Sequence, residues 1–438
     1  MPSLDELTNL VRDEITQREE EGCEVGDALE RYARILSAPE DERRRFLLAL
    51  EEELAELEVA DDFPYYEPST LPEIRAARPD GPRKLEGAPT GEELADKILG
   101  AWLGRCAGCM LGKPVEGWPK EKMEKYLRHA RAWPLDYYFP YDESAPEDAR
   151  LREGAQPLTR GNIDRMRRDD DMDYPIIGLH VLETHGPEFT AEQMGEAWLS
   201  CFPYHLVYTA ERVAYRNLVD GLKPPESARY LNPYREWIGA QIRADVFGWV
   251  TPGLPEKGAE LAFRDAALSH VKNGIYGEMY MAAVLSAAVG GAGLEESIRI
   301  GLTEIPAESR LAEAVRDTIG WTSEDDWEAT WRKIMDKYGH YHGVHTINNA
   351  ALVLMGLLHG QGDFAKTCGI AVMGGLDTDC NGATAGSIMG AVLGAKALPE
   401  EWTDPLNDRI ESFVLGFNDS SISNLAARTQ AIAEKVVA

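Results

Sequence analysis

The sequence has little of several features that mark whole classes of protein. Among its 438 residues there are only six cysteines, too few for a disulfide-stapled scaffold of this size. No run of about 18 apolar residues appears, so we expect no membrane-spanning helix. The opening residues, MPSLDELTNLVRDEITQ, show neither the basic nor the apolar region of a signal peptide. We therefore expect a cytoplasmic protein with reduced thiols.

Basic residues are also scarce. Lysine and arginine together number 45, against 75 aspartates and glutamates, which leaves a formal net charge of −30. Such a chain repels polyanions, so we expect no nucleic-acid partner and no anionic membrane surface as a partner. The composition, 44% hydrophobic and 27% charged, is that of a globular protein.

Alternating runs of β-branched residues are rare, whereas apolar residues recur at helical spacing in most of the chain. We therefore predict an all-α fold. Thr90 with Glu93 and Thr190 with Gln193 form capping-box patterns at the starts of two helices. Beyond the helix that follows Thr90, helices are predicted over 172–185, 190–201, 205–221, 258–270, 277–290, 308–318, 324–338, 345–360, 364–373, 382–396 and 405–415.

The composition changes along the chain and suggests three parts. Residues 1–61 read as a helical N-terminal module, and residues 62–90 contain six prolines and read as a Pro-rich linker. Residues 91–438 read as the main all-α domain. Nothing in the pattern indicates what the N-terminal helices bind.

Two of the predicted helices carry glycine at every fourth position, which keeps the glycines on one ridge. Each interior glycine costs about 1 kcal/mol relative to alanine, so close approach of another backbone is the expected compensation. The ridges indicate tight helix packing and are compatible with a central helix pair whose ends carry a functional site. The glycines are Gly100, Gly104, Gly108 and Gly112 in the first helix and Gly382, Gly386, Gly390 and Gly394 in the second.

Two acidic clusters each precede a predicted helix. One is Asp169–Asp171 in RDDDMDYP, where Pro175 fits the first turn of a helix, and the other is Asp377 and Asp379 in GGLDTDCNG. Taken singly, the first could be a solvated acidic loop and the second an Asx-turn with a helix cap. If both meet in a pocket, mutual repulsion requires a cation, and Mg²⁺ or Mn²⁺ prefers such oxygen ligands.

Three motifs together resemble the ADP-ribosylglycohydrolase family over roughly residues 90–435. They are ILGAWLGRCAGCMLGKPVEG, RDDDMDY and GGLDTDCNGATAGSIMGA, in that order. The resemblance implies an orthogonal all-α helical bundle with a binuclear Mg²⁺ or Mn²⁺ centre. It also implies hydrolysis of an N- or O-glycosidic bond at the anomeric carbon of a ribose.

The resemblance assigns roles to individual residues. Asp169, Asp170 and Asp171 fall on the first set of metal ligands, with Asp169 in the place of a threonine, and Asp377 and Asp379 fall on the second set. Cys380 takes the place of a threonine or serine ligand, although a neutral thiol is a poor ligand for a hard cation. Glu116 falls on a mobile glutamate near the metals. The expected catalytic residues are Glu116, which positions water or substrate, and Asp170 or Asp379, which accepts the proton of the attacking water.

The same resemblance places a substrate-binding loop at VKNGIYGEMY, which contributes Asn273, Gly274, Tyr276 and Gly277. Read without the family, this stretch could equally be a helix cap with Asn-Gly. In GHYHGVHTINNA, His345 and Asn348 are candidates for polar contacts with substrate.

The function predicted from the sequence is therefore a metal-dependent hydrolase of a ribosyl bond, acting on an ADP-ribosylated substrate or on a small riboside. One alternative is a non-catalytic module that binds ADP-ribose or another nucleotide on the same fold. A metal phosphatase is a further alternative, but the acidic clusters have no evident nucleophile motif or basic phosphate clamp beside them.

Overall fold

The computed structural model describes residues 2–437, and helices make up most of them. The all-α prediction is confirmed. The α-helices of these residues, in chain order, are α1 (Leu4–Glu20), α2 (Ala28–Leu36), α3 (Glu40–Ala55), α4 (Leu71–Ala77), α5 (Gly91–Gly112), α6 (Lys120–His129), α7 (Asp170–His185), α8 (Ala191–Cys201), α9 (Thr209–Val219), α10 (Glu226–Arg229), α11 (Ala244–Trp249), α12 (Pro255–Ala266), α13 (Lys272–Val289), α14 (Leu294–Gly301), α15 (Arg310–Thr322), α16 (Trp327–Tyr338), α17 (Thr346–Gly360), α18 (Phe364–Met373), α19 (Thr378–Leu393), α20 (Glu400–Thr403) and α21 (Ile422–Val437).

The predicted helix over 405–415 is wrong. Strand β1 (Arg409–Glu411) lies there and pairs antiparallel with β2 (Asp419–Ser421). Asn407 and Asp408 have φ angles of 50° and 52°, a left-handed conformation that stops a right-handed helix. The apolar residues of this stretch are therefore spaced along a short strand and its turns.

The helix-start signals have mixed outcomes. Thr190 and Gln193 form both hydrogen bonds of the predicted capping box. Thr90 precedes α5, but its side chain makes no capping hydrogen bond, so that part of the prediction is wrong. Helix α7 begins at Asp170, which places Pro175 in its second turn instead of the first.

Helices α5 and α19 form the centre of the fold, and their glycine ridges face each other. A Cβ built on Gly104 would lie 2.1 Å from the carbonyl oxygen of Gly386, and one built on Gly108 would lie 1.9 Å from that of Gly382. The prediction of a close glycine-mediated helix pair is confirmed. Because the glycines meet in reverse order, the helices run antiparallel, and the C-terminal end of α5 lies beside the N-terminal end of α19.

The N-terminal helices α1–α3 share a hydrophobic cluster of their own, which also includes Val213 and Leu231 from later in the chain. Beside this cluster, Arg235 donates to Glu14 and Glu21 through buried ion pairs of 2.6 and 2.9 Å. Helices α1–α3 therefore pack onto the rest of the chain, and the division of the sequence into 1–61, 62–90 and 91–438 stays a prediction.

Within residues 2–437, no helix combines the length and the apolar character that crossing a membrane requires.

Candidate metal centre and substrate cavity

Two helix N-termini bring the acidic clusters together. Asp169 caps α7, and its Oδ1 accepts a hydrogen bond of 3.0 Å from the backbone N–H of Asp171. Asp377 precedes α19 as its N-cap residue. The backbone N–H groups at both helix starts favour negative charge nearby. The fold thereby gathers carboxylates that lie about 200 residues apart in sequence at one place.

These carboxylates line a cavity of about 420 Å³, which is within the usual size range of small-molecule sites. All six predicted metal ligands and Glu116 line it. The other lining residues are Lys113, Arg152, Arg168, Tyr208, Thr209, Glu211, Trp237, Ile238, Gly239, Ile242 and Val344.

The aspartates are largely withdrawn from water. Asp169, Asp171, Asp377 and Asp379 expose between 1 and 7% of their surface, and Asp170 is half-buried. Burial raises the pKa of Asp170, Asp171 and Asp379 well above the usual range, and the charge of Asp169 adds to the effect. Burial also raises the pKa of Asp377 to about 6. A bound cation would favour their charged forms.

Two cationic side chains already neutralise part of the cluster. The ammonium of Lys113, at the end of α5, donates to Oδ2 of Asp169. Burial by itself would raise the pKa of Asp169, but this contact lowers it below its usual value. The guanidinium of Arg105, fully buried in α5, donates to Oδ1 of Asp171 at 3.2 Å and to Asp245 at 2.8 Å.

The thiols of the centre are neutral. Cys380 Sγ donates to Oδ2 of Asp171 at 3.1 Å, and burial raises the pKa of this thiol well above its usual value. Burial likewise raises the pKa of Cys109, which lies near Asp169 and Asp171. Cys380 is therefore placed beside the carboxylates as a hydrogen-bond donor, and its predicted role as a metal ligand stays a prediction.

The residues present fit a hard divalent cation. Potential ligand atoms of Asp377, Asp379 and Cys380 lie within 4.8 Å of one another, and so do those of Cys109, Asp169 and Asp171. Oδ1 of Asp379 is buried and has no hydrogen-bond partner among residues 2–437. A buried carboxylate oxygen left without a donor is unfavourable, and a cation would satisfy it.

Glu116 lies at the rim of the same cavity. It follows the short 3₁₀ turn Lys113–Val115, and the residue as a whole is exposed. The surrounding protein raises the pKa of its carboxyl, and the charge of Asp169 adds to this. The three predicted catalytic residues, Glu116, Asp170 and Asp379, thus share one cavity with the predicted metal ligands.

The predicted substrate loop lies elsewhere. Asn273, Gly274, Tyr276 and Gly277 belong to the start of α13, are buried, and do not line the cavity. Asn273 Nδ2 donates to Glu236 at 2.7 Å, and the Tyr276 hydroxyl donates to the carbonyl of Pro68. Their polar groups serve the packing of the N-terminal segment, and their role in substrate binding stays a prediction.

His345 and Asn348 are also outside the cavity lining. His345 is fully buried, caps α17 and stacks on Tyr341, and burial lowers its pKa to about 3. Asn348 Nδ2 donates to the carbonyl of His342 at 3.1 Å. Its neighbour Asn349 has the closer link to the centre, because its Oδ1 accepts from the backbone N–H of Asp377 at 3.2 Å and from Asn381 at 2.9 Å.

Sequence reasoning missed several residues of the cavity wall. Arg152 and Arg168 supply positive charge, and Tyr208 and Trp237 supply aromatic surface. Glu211 is 2% exposed, and its Oε1 accepts from Arg243 at 2.8 Å. Two of these residues had a signal in the sequence: Arg168 stands directly before the acidic run, and the tryptophan at 237 was expected in the core or the cleft wall. Arg152 and Tyr208 lie in irregular segments and Glu211 lies in α9, and tertiary packing brings them to the cavity.

Comparison with known proteins agrees with the family suggested by the motifs. The family model described as ADP-ribosylglycohydrolase matches residues 90–434. Among solved structures, 44 chains match, including one described as an ADP-ribosylglycohydrolase-related protein complex. That structure is 19% identical, covers 78% of this chain and 99% of its own, and superposes with a TM-score of 0.48. No curated protein matches the chain.

Proposed function

Since this chain belongs to the ADP-ribosylglycohydrolase family, we propose that it cleaves a ribosyl N- or O-glycosidic bond with the help of a divalent metal held by the aspartate cluster. Membership of the family makes it a glycosyl hydrolase.

One observation carries the proposal. Five aspartates from two distant segments line one cavity, and the buried Oδ1 of Asp379 has no hydrogen-bond partner within residues 2–437. An arrangement of this kind is unfavourable unless the cavity receives positive charge. Mg²⁺ and Mn²⁺ are the cations that an all-carboxylate donor set fits best.

Each residue then has a task. Asp379 and Asp377 would hold a divalent cation, which would supply Lewis acidity for the ribose hydroxyls and for the attacking water. Asp170, half-buried and with a raised pKa, accepts the proton of the water that attacks the anomeric carbon. Glu116, which lines the same cavity, orients the water or the leaving group, and burial together with the charge of Asp169 raises the pKa of its carboxyl.

The remaining cavity wall suits a substrate with a ribose at one end and an anionic or planar part at the other. Arg152 and Arg168 provide positive charge for phosphate groups, although Arg168 also donates to Asp173 at 2.9 Å. Trp237 and Tyr208 provide aromatic surface for a base or ribose ring. ADP-ribosylated molecules and small ribosides are the two substrate classes that these features support.

The test is a hydrolysis assay with Mg²⁺, with Mn²⁺ and with chelator. The substrates run from ADP-ribosyl-arginine and ADP-ribosyl-serine peptides to simple nucleosides, with phosphate esters included. We expect cation-dependent release of ADP-ribose or ribose, and we expect Asp170→Asn to lose it while keeping the fold.

The set of substrates that the protein hydrolyses distinguishes the candidate functions. Turnover of ADP-ribosyl peptides identifies a hydrolase that removes this modification, and turnover of nucleosides alone identifies a small-riboside hydrolase. Tight ADP-ribose binding without turnover on any substrate contradicts the hydrolase proposal and supports a binding module. Release of phosphate alone also contradicts it.

A further inference from the structure

We propose that the centre holds one divalent cation, bound by Asp377 and Asp379, and that the ammonium of Lys113 neutralises Asp169 where a second cation would otherwise bind. This inference rests on the proposed metal-dependent function, and it departs from the two cations predicted from the sequence. The pair Asp169 and Asp171 differs from the pair Asp377 and Asp379 in whether the carboxylate oxygens already have hydrogen-bond donors.

The half formed by Asp169 and Asp171 has no free carboxylate oxygen. Oδ1 of Asp169 accepts from the backbone N–H of Asp171 at 3.0 Å, and its Oδ2 accepts from Lys113. Oδ1 of Asp171 accepts from Arg105 at 3.2 Å, and its Oδ2 accepts from the Cys380 thiol at 3.1 Å. Both carboxylates are 1–2% exposed, so these donors are the ones that stabilise them. A cation would have to displace them.

The half formed by Asp377 and Asp379 is different. Asp379, a residue only 4% exposed, lines the cavity, and its buried Oδ1 has no hydrogen-bond partner among residues 2–437. Ligand atoms of Asp377, Asp379 and the adjacent Cys380 lie within 4.8 Å of one another, a spacing that one ion can bridge. Among the four aspartates that expose 7% or less of their surface, the unmet need for positive charge is therefore located here, whereas the half-buried Asp170 is open to solvent.

Close packing of the neighbouring Gly112 fixes the position of the Lys113 backbone. Gly112, the preceding residue, packs so closely on α19 that a Cβ on it would lie 2.0 Å from the carbonyl oxygen of Thr378. The hydroxyl of Thr378 donates to the carbonyl of Gly112 at 2.9 Å. The end of α5 is thus locked against the start of α19, and the Lys113 side chain is 15% exposed. A dication bound next to this ammonium would be strongly repelled.

The test counts ions without using substrate. Metal-free protein is dialysed against Mn²⁺, the bound manganese per chain is measured by mass spectrometry, and its EPR spectrum is recorded. We expect one tightly bound ion in the natural protein, with the spectrum of an isolated Mn²⁺. We expect Lys113→Met to gain a second ion and the spectrum of an exchange-coupled pair, because it frees an oxygen of Asp169 and removes the repelling charge.

Two further variants make the result specific. Lys113→Arg keeps the positive charge and should still bind one ion, and Lys84→Met, a change at an exposed lysine outside the cavity, should bind as the natural protein does. Two ions or a coupled pair in the natural protein would overturn the inference, even if Lys113→Met failed to fold. An unchanged count in a folded Lys113→Met would also overturn it. Hydrolysis is measured separately, so a protein that binds one ion and cleaves no riboside contradicts the proposed function alone.

Discussion

Gly104 and Gly386 lie so close together that each backbone carbonyl occupies the place of the other residue's side chain. A Cβ on either glycine would lie 2.1 Å from the carbonyl oxygen of the other. This contact repeats along α5 and α19 and ends beside Gly112 and Thr378, where the aspartate centre begins. The spacing of the glycines therefore sets the position of the site as well as the packing of the core.

The first prediction tests this contact. Gly104→Ala would force the two central helices apart, and overpacking of this kind typically costs about 1–3 kcal/mol or more. We expect a loss of at least that size in the free energy of unfolding, measured by urea denaturation. The matched control is Gly320→Ala in α15, where a Cβ would meet no atom within 4 Å and should leave stability equal or slightly higher. Equal effects of the two substitutions would contradict the packing account.

The second prediction concerns cation binding at Asp379. Asp379→Asn removes the charge of the buried carboxylate that lacks a hydrogen-bond partner on Oδ1. We expect affinity for Mn²⁺ to fall by more than the roughly 10–100-fold typical of losing an outer partner of a metal ligand. Thermal unfolding with and without Mn²⁺ measures this, since a cation that binds only the folded chain raises the midpoint. The exposed Asp136, changed to Asn, is the control and should keep the full shift. If Mn²⁺ raised the unfolding midpoint of Asp379→Asn as much as that of the natural protein, Asp379 would not be a ligand of the cation.

The third prediction concerns Glu211 in the cavity wall. A Cβ on Gly239 would lie 2.0 Å from Oε1 of Glu211, so Gly239→Ala must displace this carboxylate from Arg243. We expect kcat/KM for the active substrate to fall about tenfold or more, and the disturbed buried pair of Glu211 with Arg243 also costs stability. Steady-state kinetics and urea unfolding separate the two effects. Unchanged kinetics in a folded variant would show that the position of Glu211 does not affect the reaction.

The fourth prediction concerns pH and the N-terminal helices. Burial, followed by the charge of Glu14, raises the pKa of Glu51 in α3 from 4.5 to about 7. An acid whose pKa is higher in the folded state loses its proton more easily when unfolded, so stability falls as pH rises from about 4.5 to 7. We expect Glu51→Gln to match the natural protein near pH 4 and to exceed it above pH 7 by on the order of 1 kcal/mol. Urea unfolding across this range, with the exposed Glu52→Gln as control, measures the difference; parallel curves would refute it.

The fifth prediction concerns the attachment of the N-terminal helices. Arg235, which is 4% exposed, pairs with Glu14 and Glu21, so Arg235→Leu removes a fully buried cation from two buried carboxylates. Arg18 still contacts both carboxylates and Lys272 still contacts Glu21, so the loss is partial and its cost lies toward the lower end of the range for a broken buried pair. Breaking a buried pair from one side typically costs about 3–5 kcal/mol. The exposed pair between Arg12 and Asp13 is the control, because Arg12→Leu should cost about 1 kcal/mol or less. Limited proteolysis should also cleave residues 1–61 first in Arg235→Leu. Equal stability of the two variants would contradict a buried anchor.

Much of the fold was predictable because the relevant signals are short in range. Helix α18 has the predicted bounds of 364–373. Its apolar spacing and its N-cap residue Asp363 both lie within or directly beside the helix, so the sequence shows them. The helix prediction for 405–415 was wrong because Asn407 and Asp408 have positive φ angles, which the apolar spacing of the segment does not reveal. The last helix predicted from the sequence ends at residue 415, so α21 was missed.

The candidate site was also predictable in part. The aspartates of the two clusters and Glu116 were identified from the sequence, and the structure gathers them in one cavity. The segment Asn273–Gly277 was assigned to substrate from its motif, yet it packs on Glu236 and on the carbonyl of Pro68. A motif specifies local backbone geometry, but the direction in which that backbone faces depends on the elements around it.

The sequence by itself determined where helices begin, which of them can approach through glycine, and which carboxylates stand at helix N-termini. These properties depend on backbone conformation and on neighbours within one or two helical turns. Tertiary structure alone decided which charges meet: Lys113 contacts Asp169 across 56 residues, and Arg105 contacts Asp171 across 66. Electrostatic neutralisation requires atoms within a few ångströms of each other, and only the packing of α5 and of α7 on α19 brings these side chains that close.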